Sequence, residues 1–155
     1  MKTRYFDING TIVREYQCKS TLANGAFEQA VRDAGFGRLV CMSNVQKFGS
    51  LLAEMGHAAD SLAISFDMCW GAFRDVGWFR RVTTLVPDPD HRARYIDVAS
   101  DWWYLDDLAE NFLEKDGKSS LFAENIGTRI LAPQPNSDGT EILDWIRSRC
   151  RISSF

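Results

Sequence analysis

Short apolar runs alternate with longer amphipathic ones along almost the whole chain, and this alternation most limits the folds open to it. Residues 3–8 (TRYFDI), 38–42 (RLVCM), 79–86 (FRRVTTLV), 101–106 (DWWYLD) and 127–132 (GTRILA) have the length and the β-branched or aromatic content of strands. Between them, helical spacing predicts helices over 20–35, 45–56, 60–76, 107–115 and 138–149. Ser20 or Thr21 can cap the first of these and Gly35 can stop it. Pro87-Asp88-Pro89-Asp90 opens a further helix through about residue 99, because proline suits a first turn and acids favour the N-terminal dipole. A turn at Asn9-Gly10 leads into a short strand or flap over 11–17. Strand-then-helix order predicts an α/β fold: a doubly wound, Rossmann-like parallel sheet of about five strands with helices on both faces. In such sheets, ligands gather at the carboxyl ends of the strands, beside the point where strand order reverses.

The chain is 155 residues long, which suits a single domain over 1–155. With 45% apolar and 12% aromatic residues and a net charge of −3, intrinsic disorder is excluded and nothing drives the whole chain toward nucleic acid. No apolar run spans a bilayer, and Lys2 and Arg4 lead into too short an apolar stretch for a signal peptide. Cys18, Cys41, Cys69 and Cys150 form no C-x-x-C pair, so reduced thiols in a cytoplasmic protein are expected. Arg147, Arg149 and Arg151 read as a solvated helix end, with a polyanion contact as the alternative. Trp102 and Trp103 are adjacent on a strand and should pack on opposite faces.

Three strand ends carry chemistry: Asp7-Ile8-Asn9-Gly10-Thr11, Ser43-Asn44 and Asp106-Asp107. Acids ending neighbouring parallel strands would converge on a hard cation such as Mg²⁺, and a carboxylate beside such a cation can attack phosphorus. Simpler roles fit the same residues: Asp7 as a turn acid, and Ser43-Asn44 and Asp106-Asp107 as helix caps. Capping and phosphate binding are compatible, since both use a helix N-terminus.

The order YFDINGT, LVCMSN and WYLDDLAEN resembles the haloacid dehalogenase (HAD) superfamily of hydrolases over residues 4–132. The first motif of that superfamily, D-x-D-x-T/V, is matched by Asp7, Asn9 and Thr11. The second is matched by Ser43, and the acidic fourth by Asp106-Asp107, completed by Asn111. The resemblance implies a Mg²⁺-dependent phosphatase in which Asp7 is both nucleophile and metal ligand. Asn9 would stand at the general acid/base position and lend its backbone carbonyl to the metal. Thr11 would steady the loop, Ser43 and the Asn44 amide would hold the phosphoryl group, and Asp106 with Asp107 would complete the metal site. The substrate would be a phosphorylated small molecule or macromolecule.

The chain departs from the family pattern twice. Asn9 cannot deliver and recover a proton, as the usual acid does. Val86 stands where the third motif carries lysine; Arg92, about one helical turn on, is the candidate replacement, ahead of Arg81, Lys47 and Arg94. A HAD-like binding module that keeps a metal or phosphate pocket without turnover is therefore the alternative reading. Residues 12–42 and 87–105 are too short for an inserted cap domain, so a capless core is expected, with surplus chain at 58–79. An open site of that kind suits macromolecular substrates, or small ones enclosed by neighbouring subunits of a homo-oligomer.

Overall fold

The computed structural model describes residues 1–7, 11, 25–42, 82–134 and 138–153. The expected flap, the helices over 45–56 and 60–76, and the surplus segment at 58–79 lie outside these residues. Five strands form one sheet: β1 (Lys2–Phe6), β2 (Arg38–Cys41), β3 (Thr83–Leu85), β4 (Asp101–Leu105) and β5 (Ile130–Leu131). Their spatial order is β3-β2-β1-β4-β5, and every pairing is parallel. The doubly wound parallel sheet read from the sequence is therefore the architecture found. Strand order reverses between β1 and β4, where Phe6 sits in register with Leu105.

Side-chain alternation sorts the strands' residues onto two faces. Phe6, Leu39, Cys41, Trp103 and Leu105 are buried beneath α1 (Ala26–Ala34) and the closing helix Thr140–Ser153, which we call α4. Tyr5, Val40, Met42, Trp102 and Tyr104 are buried on the other face. A 3-10 helix over Pro89–Tyr95, α2 (Ala109–Lys115) and α3 (Ser119–Asn125) cover that side. Trp102 and Trp103 thus face opposite sides, each nearly fully buried. β4 reads as a near-continuous apolar run, as strands covered on both faces do, whereas β1 also buries Thr3 and Arg4.

Some elements differ from the sequence reading. Gly25 is left-handed (φ 75°, ψ 14°) and precedes α1 at Ala26, while the caps proposed at Ser20 or Thr21 lie outside the described residues. The segment after Pro87 is 3-10 rather than α, breaks at His91 (φ −119°, ψ 43°) and ends at Tyr95. There Asp97 takes over the backbone, accepting from Ala99 N through its carboxylate at 3.0 Å and from Ser100 N through its carbonyl at 3.2 Å. Helix α3 was not foreseen: it follows the left-handed Gly117 (φ 71°), buries no residue fully, and leans Leu121 and Phe122 on the core. Among the described residues no helix is long and apolar enough to cross a membrane.

The first face depends on Phe27 of α1, which is fully buried with its ring 6.1 Å from that of Phe6. Phe27→Ala is expected to lower stability by about 3–5 kcal/mol through lost contacts and a residual cavity. Val98→Ala, at a position 60% exposed, should change it by less than about 0.5 kcal/mol. Urea denaturation of both variants checks the contrast.

Candidate active site

Asp7 and Asp106 are the residues that directly follow β1 and β4, the two strands flanking the reversal point. Each backbone amide still pairs along the sheet, Asp7 N with Leu105 O at 2.9 Å and Asp106 N with Leu131 O at 3.1 Å. The carboxylates are therefore fixed to the sheet's edge rather than carried on a free loop. Both are buried, at 6% and 0% exposure.

One cation joins them. Nη1 of Arg92 donates to Asp7 Oδ1 at 3.0 Å and to Asp106 Oδ2 at 2.9 Å. Arg92 follows the break at His91 and is 1% exposed. Its Nε donates to Pro89 O at 2.7 Å, and its guanidinium carbon lies 3.7 Å from the ring centroid of Phe112 on α2. Tyr104 Oη donates to Asp106 Oδ2 at 2.5 Å, and Leu108 N donates to Asp106 Oδ1 at 2.9 Å. Asp106 thus braces the turn into α2, whose N-cap is Leu108 with no side-chain cap, so it serves the cluster rather than the helix-cap role the sequence suggested.

Thr11 closes the other side. Its buried hydroxyl accepts from Asp107 N at 3.0 Å and lies 3.3 Å from Asp7 Oδ2 and 3.2 Å from Asp107 Oδ1. A hydroxyl has one proton, so it serves one of these carboxylates at a time. The sequence candidates Asp7, Thr11, Arg92, Asp106 and Asp107 are thereby brought together. Asn9, Ser43 and Asn44 lie outside the described residues, as do Lys47 and Arg81. Val86 is a core residue, Arg94 is exposed and 4.0 Å from Asp88, and Asn111 is exposed on α2. Tyr104 and Phe112 were not singled out in the sequence. The signal for Tyr104 was its place two residues before Asp106, on the same face of the strand.

Burial, and then the neighbouring Asp106 charge, push the Asp7 carboxyl well above the usual carboxylate range; Arg92 pulls it back down. Burial also raises Asp106, against Arg92 and the Tyr104 hydrogen bond. Burial works against the charge on Arg92, but Asp106 and Asp7 outweigh it and raise its pKa. Burial and then Asp106 push Tyr104 well above its ordinary value, so its hydroxyl keeps its proton and donates the hydrogen bond to Asp106.

Among the described residues, Asp7, Asp106 and Asp107 stand beside one guanidinium, which pairs with Asp7 and Asp106. Asp7, Asp106 and Asp107 each offer an oxygen, all within 4.8 Å of one another, and could hold a metal ion. Hard oxygen donors of this kind fit a hard divalent cation. Comparison with protein-family models, with curated proteins and with solved structures found no match. The chemistry of the site rests on its own geometry.

Asp7 and Asp106 hold protons to higher pH folded than unfolded, so both reduce stability as pH rises from the unfolded carboxylate range through their folded values. Arg92 limits that loss. Arg92→Met is expected to cost about 3–5 kcal/mol at neutral pH, because it strands buried charge. The difference should shrink toward about pH 4, where the carboxyls take up protons. Urea denaturation at both pH values tests this. A loss that does not change with pH would assign the contribution of Arg92 to packing on Phe112.

Proposed function

We propose that the chain is a capless hydrolase of haloacid dehalogenase type that cleaves phosphate esters, with Asp7 as nucleophile and Mg²⁺ as cofactor. One observation carries this reading. The Arg92 guanidinium, 3.0 Å from Asp7, supplies at the nucleophile the positive charge that Val86 does not. Without such a charge a carboxylate and a phosphate dianion repel each other. Asp7, Asp106 and Asp107 would hold the cation, and Mg²⁺ when bound would neutralise charge on the phosphoryl oxygens.

In the proposed step an Asp7 oxygen bonds phosphorus as the bond from phosphorus to the leaving oxygen breaks. The electron pair departs with that oxygen, which takes its proton from water, because Asn9 has none to transfer. Water then cleaves the aspartyl phosphate, releasing phosphate and restoring Asp7. Arg92 favours the ionised form of Asp7 that the attack needs.

The same guanidinium favours a second reading. It bridges one oxygen of each carboxylate, so the acidic cluster has a cation of its own. Together with Asn9, that describes a HAD-like binding module that keeps the pocket and lacks turnover.

An aryl phosphate, whose leaving group needs little acid assistance, separates the two. The hydrolase should turn it over with Mg²⁺, lose activity in Asp7→Asn, and gain on the order of 10²-fold in Asn9→Asp. Wild type and Asn9→Asp that are both folded and both inactive select the module. Thermal melts give an answer independent of activity. For the hydrolase, millimolar Mg²⁺ should raise the melting temperature of the wild type by mass action. The module keeps the same pocket, so Mg²⁺ should raise its melting temperature too, and a melt that Mg²⁺ leaves unchanged would count against the metal site in both readings.

A further inference from the structure

Two donors meet on a single oxygen of Asp106. Arg92 Nη1 reaches Oδ2 at 2.9 Å and Tyr104 Oη reaches the same atom at 2.5 Å, while Leu108 N holds Oδ1 at 2.9 Å. An ionised carboxylate offers about two lone-pair sites on each oxygen. Both sites of Oδ2 are therefore taken, and one site of Oδ1. A cation that Asp106 ligates is met through Oδ1.

The hydroxyl that completes this arrangement is rigidly placed. Tyr104 is fully buried, and its amide donates to Arg129 O at 2.7 Å, which ties its backbone to the start of β5. Its ring belongs to the core formed with Val40, Ala109, Leu113 and Ile130. Tyr5 of β1 lies in register with Tyr104, is equally buried and shares that core. The Tyr5 hydroxyl accepts from Asp97 N at 2.8 Å, so it serves the loop after the 3-10 segment rather than the carboxylates. The two tyrosines thus match in packing and differ in what their hydroxyls hold.

We propose that Tyr104 is a positioning residue that sets the metal preference of the site: by filling Asp106 Oδ2 it allows this carboxylate one ligand oxygen rather than two, and so favours Mg²⁺ over Ca²⁺. The inference rests on the reading of Asp7, Asp106 and Asp107 as ligands of a cation. Mg²⁺ demands near-ideal octahedral geometry, which the narrow bite of a two-oxygen carboxylate distorts, whereas Ca²⁺ takes six to eight oxygens and accepts carboxylates through both. A restraint to one oxygen therefore penalises the larger ion and spares the smaller. Arg92 does not impose it unaided, because its Nη1 also serves Asp7 Oδ1 and occupies only one site of Asp106 Oδ2.

The test is calorimetric titration of the full chain with Mg²⁺ alone and with Ca²⁺ alone. Wild type should bind Mg²⁺ at least as tightly as Ca²⁺. Tyr104→Phe keeps the buried ring and removes the hydroxyl. It should lower the ratio of Mg²⁺ to Ca²⁺ affinity about tenfold, the scale of one charge-assisted hydrogen bond. Tyr5→Phe removes a buried hydroxyl from the same core and should leave the ratio at its wild-type value, which sets metal preference apart from loss of packing. An unchanged ratio in folded Tyr104→Phe, an equal shift in Tyr5→Phe, a wild type that binds Ca²⁺ more tightly, or a wild type that binds neither ion would overturn the proposal. Turnover of an aryl phosphate judges the hydrolase reading separately. An unchanged ratio with Mg²⁺-dependent turnover overturns the role of Tyr104 alone. A shifted ratio without turnover supports that role and counts against the hydrolase.

Discussion

A guanidinium buried against two carboxylates ties together four parts of this molecule. Each ion loses several kcal/mol of hydration on burial, and only close, well-oriented partners offset that loss. Arg92 finds Asp7 at the end of β1 and Asp106 at the end of β4, with Pro89 O behind it and Phe112 of α2 beneath it. The 3-10 segment, both strands and α2 must therefore hold their places together, because a shift of any one would strand a charge. Tyr104 adds a second donor to the Asp106 oxygen that Arg92 holds, and the Thr11 hydroxyl lies beside the Asp7 oxygen that the guanidinium does not reach. Among the described residues Asp7, Asp106 and Asp107 could still hold a metal ion beside it.

The same two strands carry the two ends of a charge separation that the net charge of −3 conceals. At their carboxyl ends stand Asp7, Asp106 and Asp107; Asp101 stands at the amino end of β4, where the Arg4 side chain reaches its carbonyl, and Arg129 and Arg149 line one cavity with them. Parallel pairing with Arg4 opposite Trp103 and Phe6 opposite Leu105 makes this separation rigid. A hairpin would have put the amino end of one strand beside the carboxyl end of the next and mixed the two characters. The parallel architecture is thus the reason one small sheet presents an acidic edge and a basic one.

Much of the fold was legible because buried parallel strands leave a strong local mark. TRYF, LVC and WWYL have few other ways to bury their side chains, and the strands lie within one or two residues of where the pattern put them. Weak elements were harder. The strand read over 127–132 was found, but only two residues of it, Ile130 and Leu131, pair with β4. Helix α3 has no fully buried side chain to give it a period. The Pro87–Asp90 run signalled a helix start correctly but not its type, because a 3-10 turn and an α-helix begin with the same residues.

By itself the sequence determined the α/β alternation, the acids that end β1 and β4, and the absence of a lysine at Val86, since each is a matter of local pattern and residue chemistry. Folding alone decided which cation meets Asp7. Arg92, Arg94, Lys47 and Arg81 were all available, and the break at His91 followed by burial against Phe112 brings Arg92 to the carboxylates while Arg94 stays at the surface. Folding alone also assembled Arg4, Arg129 and Arg149 around one cavity. No local pattern relates residues so far apart along the chain; the pairing of β4 with β1 and β5 and the packing of α4 bring them to one place.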